Sequence, residues 1–426
     1  MKMKTYALLS AVMLSILFPF FSNAQIYSVV TCPGENSATQ MNISFAADTA
    51  VIAPVIRFAK ASEKEFTRSQ EPEVSLCTAY NGIYSKNEAG DNIYEDRVFN
   101  KYSATLAGLE PDTEYKYIVC SDESGTSCEP HYFKTAGSCR WSAFVISDFH
   151  SYLPLPGRLV SAMSMLDVLN KKNPKADFVV SLGDIVAWGG SYSFWKRMYE
   201  EPYFHNYMWA TLNGNHDNMS RKYELTSDYF RYANNVPANG YGDQVGVCYW
   251  FIYSDALFIM LNNEEMRSKE GLKAAREWVT EVLESHPDVK YRIVCEHYQW
   301  FSGERGTTSQ YARWRDIFDK YEVDLALAGN NHIYVRSEAI EEGIVTDGST
   351  GTVYLQTPSS DNERGSEIKG EVIPDNQDKI AMRWTEGGRT VGAMLLDAND
   401  NRLTVTLYDR NGKKLDKVRI PAKHRK

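Results

Sequence analysis

Between residues 25 and 138 the apolar positions fall in short runs broken by turn residues. Met41-Asn42-Ile43-Ser44-Phe45 alternates apolar and polar, while Val55-Ile56-Arg57-Phe58-Ala59 and Tyr115-Lys116-Tyr117-Ile118-Val119 are rich in β-branched and aromatic residues. Alternation turns one face of a strand to a core and the other to water, and no helical period competes with it here. The pattern predicts an all-β sandwich over residues 25–138. Beyond it the character changes. Apolar runs at Trp141–Ser147, Asp177–Leu182, Trp209–Leu212, Trp250–Leu261, Tyr291–Cys295 and Leu325–Ala328 predict strands, and helical periods at Pro156–Asn170, Lys269–Ser285 and Tyr311–Tyr321 lie between them. Strands alternating with helices predict a layered α/β domain over residues 139–426. At the end of the chain, Arg402–Tyr408 and Lys417–Ile420 flank Asn411-Gly412 and read as a closing hairpin.

Nearly every apolar strand of the second region ends in a side chain able to ligate a metal. Phe144-Val145-Ile146-Ser147 runs into Asp148-Phe149-His150, and Val179-Val180-Ser181-Leu182 into Gly183-Asp184. Ala210-Thr211-Leu212 runs into Asn213-Gly214-Asn215-His216-Asp217, Ile293-Val294-Cys295 into Glu296-His297, and Leu325-Ala326-Leu327-Ala328 into Gly329-Asn330-Asn331-His332. Ligand sites of open α/β sheets lie at the carboxyl ends of strands, so these groups are expected to converge. Gly183, Gly214 and Gly329 are expected to turn the chain sharply off each strand. Carboxylates, imidazoles and an amide oxygen suit iron, zinc or manganese better than calcium or magnesium. An Asp between two such cations bridges them, and the pair clamps a phosphate for in-line attack.

Composition narrows the reading. At 426 residues the chain calls for two domains, and its 43% hydrophobic and 24% charged content is that of a globular protein. A net charge of −9 argues against a broad basic surface for nucleic acid, and the cation pair that would clamp a phosphate makes a small phosphorylated substrate the expected partner. Bound cations reverse the sign of an acidic site locally. Lys2, Lys4, the apolar stretch Ala7–Phe21 and Ser22-Asn23-Ala24 together read as a signal peptide over residues 1–24, cleaved after Ala24, which predicts export and no transmembrane anchor. Export permits disulfides. Of seven cysteines, Cys120 and Cys128 flank a hairpin-like tip and are placed to pair, and the odd total leaves at least one thiol over.

The ordered series Asp148-x-His150, Gly183-Asp184, Gly214-Asn215-His216-Asp217, His297 and Gly329-x-x-His332 resembles the signature of calcineurin-like metallophosphoesterases. Leu109-Glu110-Pro111-Asp112-Thr113-Glu114-Tyr115 resembles the tyrosine corner of fibronectin type III domains, and the whole layout looks like that of purple acid phosphatases. The resemblance implies two mixed sheets flanked by helices for the second domain. It implies that Asp148, His150, Asp184 and His332 hold one metal and that Asp184, Asn215 and His297 hold the other. It further implies hydrolysis by hydroxide formed at the cation pair, with His216 as the catalytic histidine, oriented by Asp217. Two positions depart from the pattern. Ala187 stands where purple acid phosphatases carry the tyrosine that colours their iron, so no purple colour is expected. Asn330 replaces an imidazole of the second site, leaving that site either looser or ligated by the Asn330 amide. In the segment after His297, Arg305 is a candidate phosphate ligand and Trp300 a candidate contact for the leaving group; Trp188 is another candidate at the rim. Phosphomonoester hydrolysis leads; a phosphodiesterase or nucleotide pyrophosphatase, and a surface binding protein with a weakened second site, are the alternatives.

Overall fold

The computed structural model describes residues 25–423 apart from residues 87, 91, 122–128, 138–139, 220–225 and 303–305. The expected signal peptide, Arg305 and the Cys128 half of the expected disulfide therefore lie outside the described residues, among which Cys32, Cys77, Cys248 and Cys295 are buried free thiols and Cys120 is buried.

The alternating runs of the N-terminal region become strands β1 (Ile26–Pro33), β2 (Gln40–Ala47), β3 (Pro54–Lys60), β4 (Arg68–Gln70), β5 (Glu73–Lys86), β6 (Asn92–Ala107), β7 (Glu114–Ser121) and β8 (His131–Lys134). The α/β region follows with β9 (Trp141–Ile146), α1 (Gly157–Lys172), β10 (Phe178–Ser181), α2 (Tyr192–Met198), α3 (Pro202–Asn206), β11 (Met208–Thr211) and α4 (Asp228–Ala233). It continues through β12 (Tyr249–Tyr253), β13 (Ala256–Met260), α5 (Lys269–Ser285), β14 (Tyr291–Cys295), α6 (Ser309–Lys320), β15 (Leu325–Ala328), β16 (Tyr334–Glu341), β17 (Ile344–Val345) and β18 (Thr352–Gln356). Last come β19 (Ile380–Trp384), β20 (Gly392–Asn399), β21 (Arg402–Asp409) and β22 (Lys414–Pro421).

These strands form a ten-stranded sheet ordered β22-β21-β20-β9-β10-β11-β1-β2-β6-β5, a second sheet ordered β12-β13-β14-β15-β18-β16-β17 with β19 beside β16, and a four-stranded sheet β4-β3-β7-β8. Both large sheets are mixed: β9, β10, β11 and β1 run parallel, as do β13, β14, β15 and β18, with antiparallel strands outside them. Alternation along each strand divides the core. Phe258, Met260, Ile293 and Cys295 face the first sheet, where Trp141 and Phe178 pack on Phe258, while Leu257, Ile259 and Val294 face the helices. There they meet Trp278 and Val282 of α5 and Trp314 and Phe318 of α6. Side chains buried on both faces explain why these strands read as unbroken apolar runs.

The N-terminal sandwich has β5-β6-β2-β1 as one layer and β4-β3-β7-β8 as the other. Its first layer is continuous with the α/β sheet, because β1 pairs in parallel with β11, Thr31 opposite Met208. The Thr31 hydroxyl also donates to the Tyr207 carbonyl at 2.8 Å. At the turn into β7 the Tyr115 hydroxyl accepts the backbone N–H of Glu110 at 3.0 Å, the tyrosine corner expected from the sequence.

One strand expectation is corrected. The run Trp250–Leu261 is two antiparallel strands, β12 and β13, joined at Ser254-Asp255, with Tyr253 opposite Ala256 and Ser254 at φ 59. Both arms of this hairpin are buried, so hydrophobicity does not dip enough at the two turn residues to reveal it.

Candidate metal centre

The strand ends of β9, β10, β11, β14 and β15 bring their polar residues to one place. Ligating atoms of Asp148, His150 and His332 lie within 4.8 Å of one another, as do those of Asp148, Asp184 and His297, and those of His150, Asp184 and His216. Asp184 is the hub. Its Oδ2 stands 3.3 Å from Nε2 of His150, 3.3 Å from Nε2 of His297 and 4.0 Å from Nε2 of His216. Asp148 Oδ1 stands 3.3 Å from Nε2 of His332.

Each carboxylate has one oxygen held by the protein and the other turned to the imidazoles. Asp148 Oδ2 accepts from the Ser147 hydroxyl at 2.6 Å and the Asn330 N–H at 2.9 Å, and Asp184 Oδ1 accepts the His216 N–H at 2.7 Å. The histidines are oriented in the same manner. Nδ1 of His297 meets the Leu182 carbonyl at 2.7 Å and Nδ1 of His150 meets the Asp148 carbonyl at 3.0 Å. A carbonyl only accepts, so these Nδ1 atoms carry the proton and the Nε2 lone pairs point inward. What remains is a set of buried atoms with no hydrogen-bond partner: Asp148 Oδ1, His150 Nε2, Asn215 Oδ1 and His297 Nε2. Buried polar groups are ordinarily satisfied, and orphaned electron-pair donors on Asp148, His150 and His297, with Asn215 between two residues that touch Asp184, fit bound cations.

The backbone is strained at the same residues. Asp148, His150, Asp184, Asn330 and His332 all have positive φ, between 42 and 66. Each such conformation costs on the order of 1–3 kcal/mol and persists where its surroundings enforce it. Gly183, at φ 89, makes the sharp turn expected of it. Gly214 and Gly329 serve differently, by close approach. A Cβ on Gly214 would sit 2.3 Å from Asp184 Oδ1, and one on Gly329 would sit 2.2 Å from the Ser147 hydroxyl.

Charge follows burial and contact. Burial pushes the Asp184 carboxyl up, and the neighbouring imidazoles, His297 foremost and then His150 and His216, more than reverse it, holding it well below the usual carboxylate range. Burial lowers His297, and Asp184 outweighs it, raising the imidazole to about 10 in the absence of metal.

Two family models cover this architecture: calcineurin-like phosphoesterase over residues 143–334, and the purple acid phosphatase N-terminal domain over residues 27–135. The chain carries a calcineurin-like phosphoesterase domain preceded by a purple acid phosphatase N-terminal domain. An uncharacterised protein of Mycobacterium tuberculosis is 25% identical over 335 residues, which are 69% of this chain and 62% of its own length. Tartrate-resistant acid phosphatase type 5 of Oryctolagus cuniculus is 24% identical over 277 residues, 58% of this chain and 79% of its own. Among solved structures, a purple acid phosphatase from yellow lupin seeds matches with a TM-score of 0.70 at 15% identity, covering 93% of this chain and 74% of that one.

The remaining predicted residues divide. His216 is at the rim, its side chain 18% exposed, with Nδ1 on the Ala187 carbonyl at 2.9 Å. Asp217 does not orient that ring. Its Oδ1 accepts the N–H groups of Ile185 and Val186, and its Oδ2 that of Gly214, so it ties two strand-end loops together. Burial, with Asp184 nearby, raises its carboxyl to about 7. The Asn330 amide is turned onto Gln299 Oε1 at 2.6 Å. Trp300 is wholly buried against Phe318 and Tyr354, a core residue rather than a leaving-group contact. Trp188 lies tilted beside His216, ring centroids 6.2 Å apart.

Sequence reading missed the loop after β18. Ser359 donates from its hydroxyl to the Asp148 carbonyl at 2.7 Å, Asp361 Oδ2 lies 3.4 Å from His150 Nδ1, and the Arg364 guanidinium meets His216 Nε2 at 3.2 Å. The signal was present: Thr352-Val353-Tyr354-Leu355 also ends in a polar run, Ser359-Ser360-Asp361-Asn362-Glu363-Arg364, like the strands that supplied the other residues.

Proposed function

We propose that this protein is an exported phosphoric ester hydrolase that uses two metal ions and acts on phosphomonoesters. The observation that carries it is the cluster of orphaned buried atoms around Asp148 and Asp184, a donor set of carboxylate, imidazole and amide that suits iron, zinc or manganese. Asp148, His150, Asp184 and His332 would hold one cation. Asp184, Asn215 and His297 would hold the other, with Asp184 between them. The Asn330 amide nitrogen donates to Gln299, so of that side chain Oδ1 is the atom left to offer the second position. When bound, the cation pair supplies Lewis acidity, acidifying water and neutralising phosphoryl charge.

The chain's own residues do the rest. Nδ1 contacts to backbone carbonyls fix the inward lone pairs of His150 and His297. His216 is not counted among the ligands, because its Nε2 faces the Arg364 guanidinium, and one cation at 3.2 Å disfavours a second there. It stands at the rim where a substrate reaches it. Burial of Asp148, Asp184 and His297 keeps the centre in a low dielectric, where charge interactions with a phosphoryl group are strongest. Export rests on the leader-like residues 1–24; no helix among the described residues is long and apolar enough to cross a membrane.

The test is metal content by mass spectrometry on the purified mature protein, paired with turnover of p-nitrophenyl phosphate, its bis ester and nucleotides. About two equivalents of metal with preference for the monoester is the expected result. In His216→Ala, turnover should fall steeply with metal content unchanged. Little metal and no turnover in the unmodified protein would remove the reading and favour a binding protein.

A further inference from the structure

Resting on that reading, we infer that Arg364 is the residue that binds the non-metal face of the transferred phosphoryl group, and that it sets the preference for monoesters over diesters. The guanidinium lies beside the centre: its Nη1 donates to His216 Nε2 at 3.2 Å, and that nitrogen is 4.0 Å from Asp184 Oδ2. The ring between them has a defined proton. Nδ1 faces a carbonyl, which only accepts, and Nε2 faces a guanidinium, which only donates. In this arrangement His216 has no N–H left to offer a substrate. Arg364 spends one of its five donors on the imidazole and keeps the others to offer a substrate.

Arg364 is also held in place. Upstream, the Asp361 N–H donates to the Ser359 hydroxyl at 3.0 Å, Asp361 Oδ1 accepts the Glu363 N–H at 2.7 Å, and Asp361 Oδ2 is 3.3 Å from Nε of Arg158. Downstream, Gly365 packs so tightly that a Cβ there would lie 2.2 Å from the Gly387 carbonyl, and the Thr385 hydroxyl donates to the Ser366 carbonyl. Among the described residues the guanidinium has no carboxylate partner. A pinned, half-buried arginine at the edge of an acidic centre, without a counter-ion of its own, is preorganised for an anion. A phosphomonoester near neutral pH carries close to two negative charges and three unsubstituted oxygens, a diester one charge and two. After the cations take their share, the fork of Arg364 finds a charged oxygen on the monoester more readily than on the diester.

The experiment compares metal-loaded wild type, Arg364→Ala and Arg364→Lys in three measurements: calorimetric affinity for inorganic phosphate, the kcat/KM ratio for p-nitrophenyl phosphate over its bis ester, and metal content. Arg364→Ala is expected to weaken phosphate binding by about tenfold to a hundredfold and to lower the monoester preference, at unchanged metal content, with Lys recovering part of both. Unchanged phosphate affinity and ester ratio in Arg364→Ala would overturn the assignment. So would loss of metal to the same degree in both variants, which marks a role in loop structure. A wild type that neither holds metal nor hydrolyses phosphate esters is a different result: there the phosphoesterase reading fails, and the clamp falls with it.

Discussion

The carboxylate of Asp361 lies 3.4 Å from Nδ1 of His150, the ring nitrogen turned away from Asp184. Both side chains are fully buried, and Asp361 is braced in turn by Arg158 at 3.3 Å. An acceptor behind a ligating imidazole fixes its tautomer and strengthens the inward lone pair. Asp361→Asn should therefore weaken the metal on the His150 side by about tenfold to a hundredfold, measured by competition with a chelator. Affinity equal to wild type would mean that the Asp148 carbonyl alone orients the ring.

Gly214 is a sharper test of the centre's packing. Any side chain there runs into both the backbone nitrogen and Oδ1 of Asp184, each 2.3 Å from the point an alanine Cβ would occupy. Either Asp184 or the loop must move, and Asp184 is the carboxylate proposed to stand between the two cations. Gly214→Ala should abolish turnover and lower metal content while leaving the far-ultraviolet circular dichroism of the sheets intact.

The tyrosine corner offers a stability prediction remote from the site. In Tyr115→Phe the Glu110 N–H loses its partner while the buried ring, stacked on Phe133 at 5.4 Å, stays. A loss of about 1 kcal/mol is expected from one part-buried hydrogen bond, read as a lower denaturant midpoint at unchanged slope. Catalysis should not change.

Acid sensitivity is expected where the N-terminal sandwich meets α3. His131 of β8 and His205 of α3 sit with ring centroids 4.5 Å apart. Burial, then the neighbouring His205, lowers His131 from 6.5 to about 4, and burial lowers His205. A histidine held neutral in the fold binds fewer protons than the unfolded chain does. Its contribution is thus present in full above 6.5 and lost as pH falls toward about 4. His131→Gln should lose less stability than wild type between pH 7 and about 4.5, compared by thermal midpoint. Parallel pH curves for the two proteins would sink this account.

Much of the site was legible because its geometry is local to strands. A parallel strand delivers the residue after its last hydrogen bond to the same sheet edge as its neighbours do, so Asp148, Asp184, Asn215, His297 and His332 could be read as a convergent set from strand ends alone. The N-terminal strands, the tyrosine corner and the helices Lys269–Ser285 and Ser309–Lys320 were legible for the same reason, since period and turn chemistry are properties of neighbouring residues. The β12–β13 hairpin was not, because burial on both sides hides a two-residue turn.

Local pattern along the chain determined which side chains stand at the strand ends and what chemistry they bring. Tertiary structure alone decided that Asp217 ties loops together, that Asn330 turns to Gln299, and that Asp361 and Arg364 reach His150 and His216. It also decided that β1 joins β11 across the boundary between the two regions. Ser359 and Asp148 are 211 residues apart in sequence, and a contact over that span depends on how whole sheets pack. No periodicity along the chain encodes such a meeting.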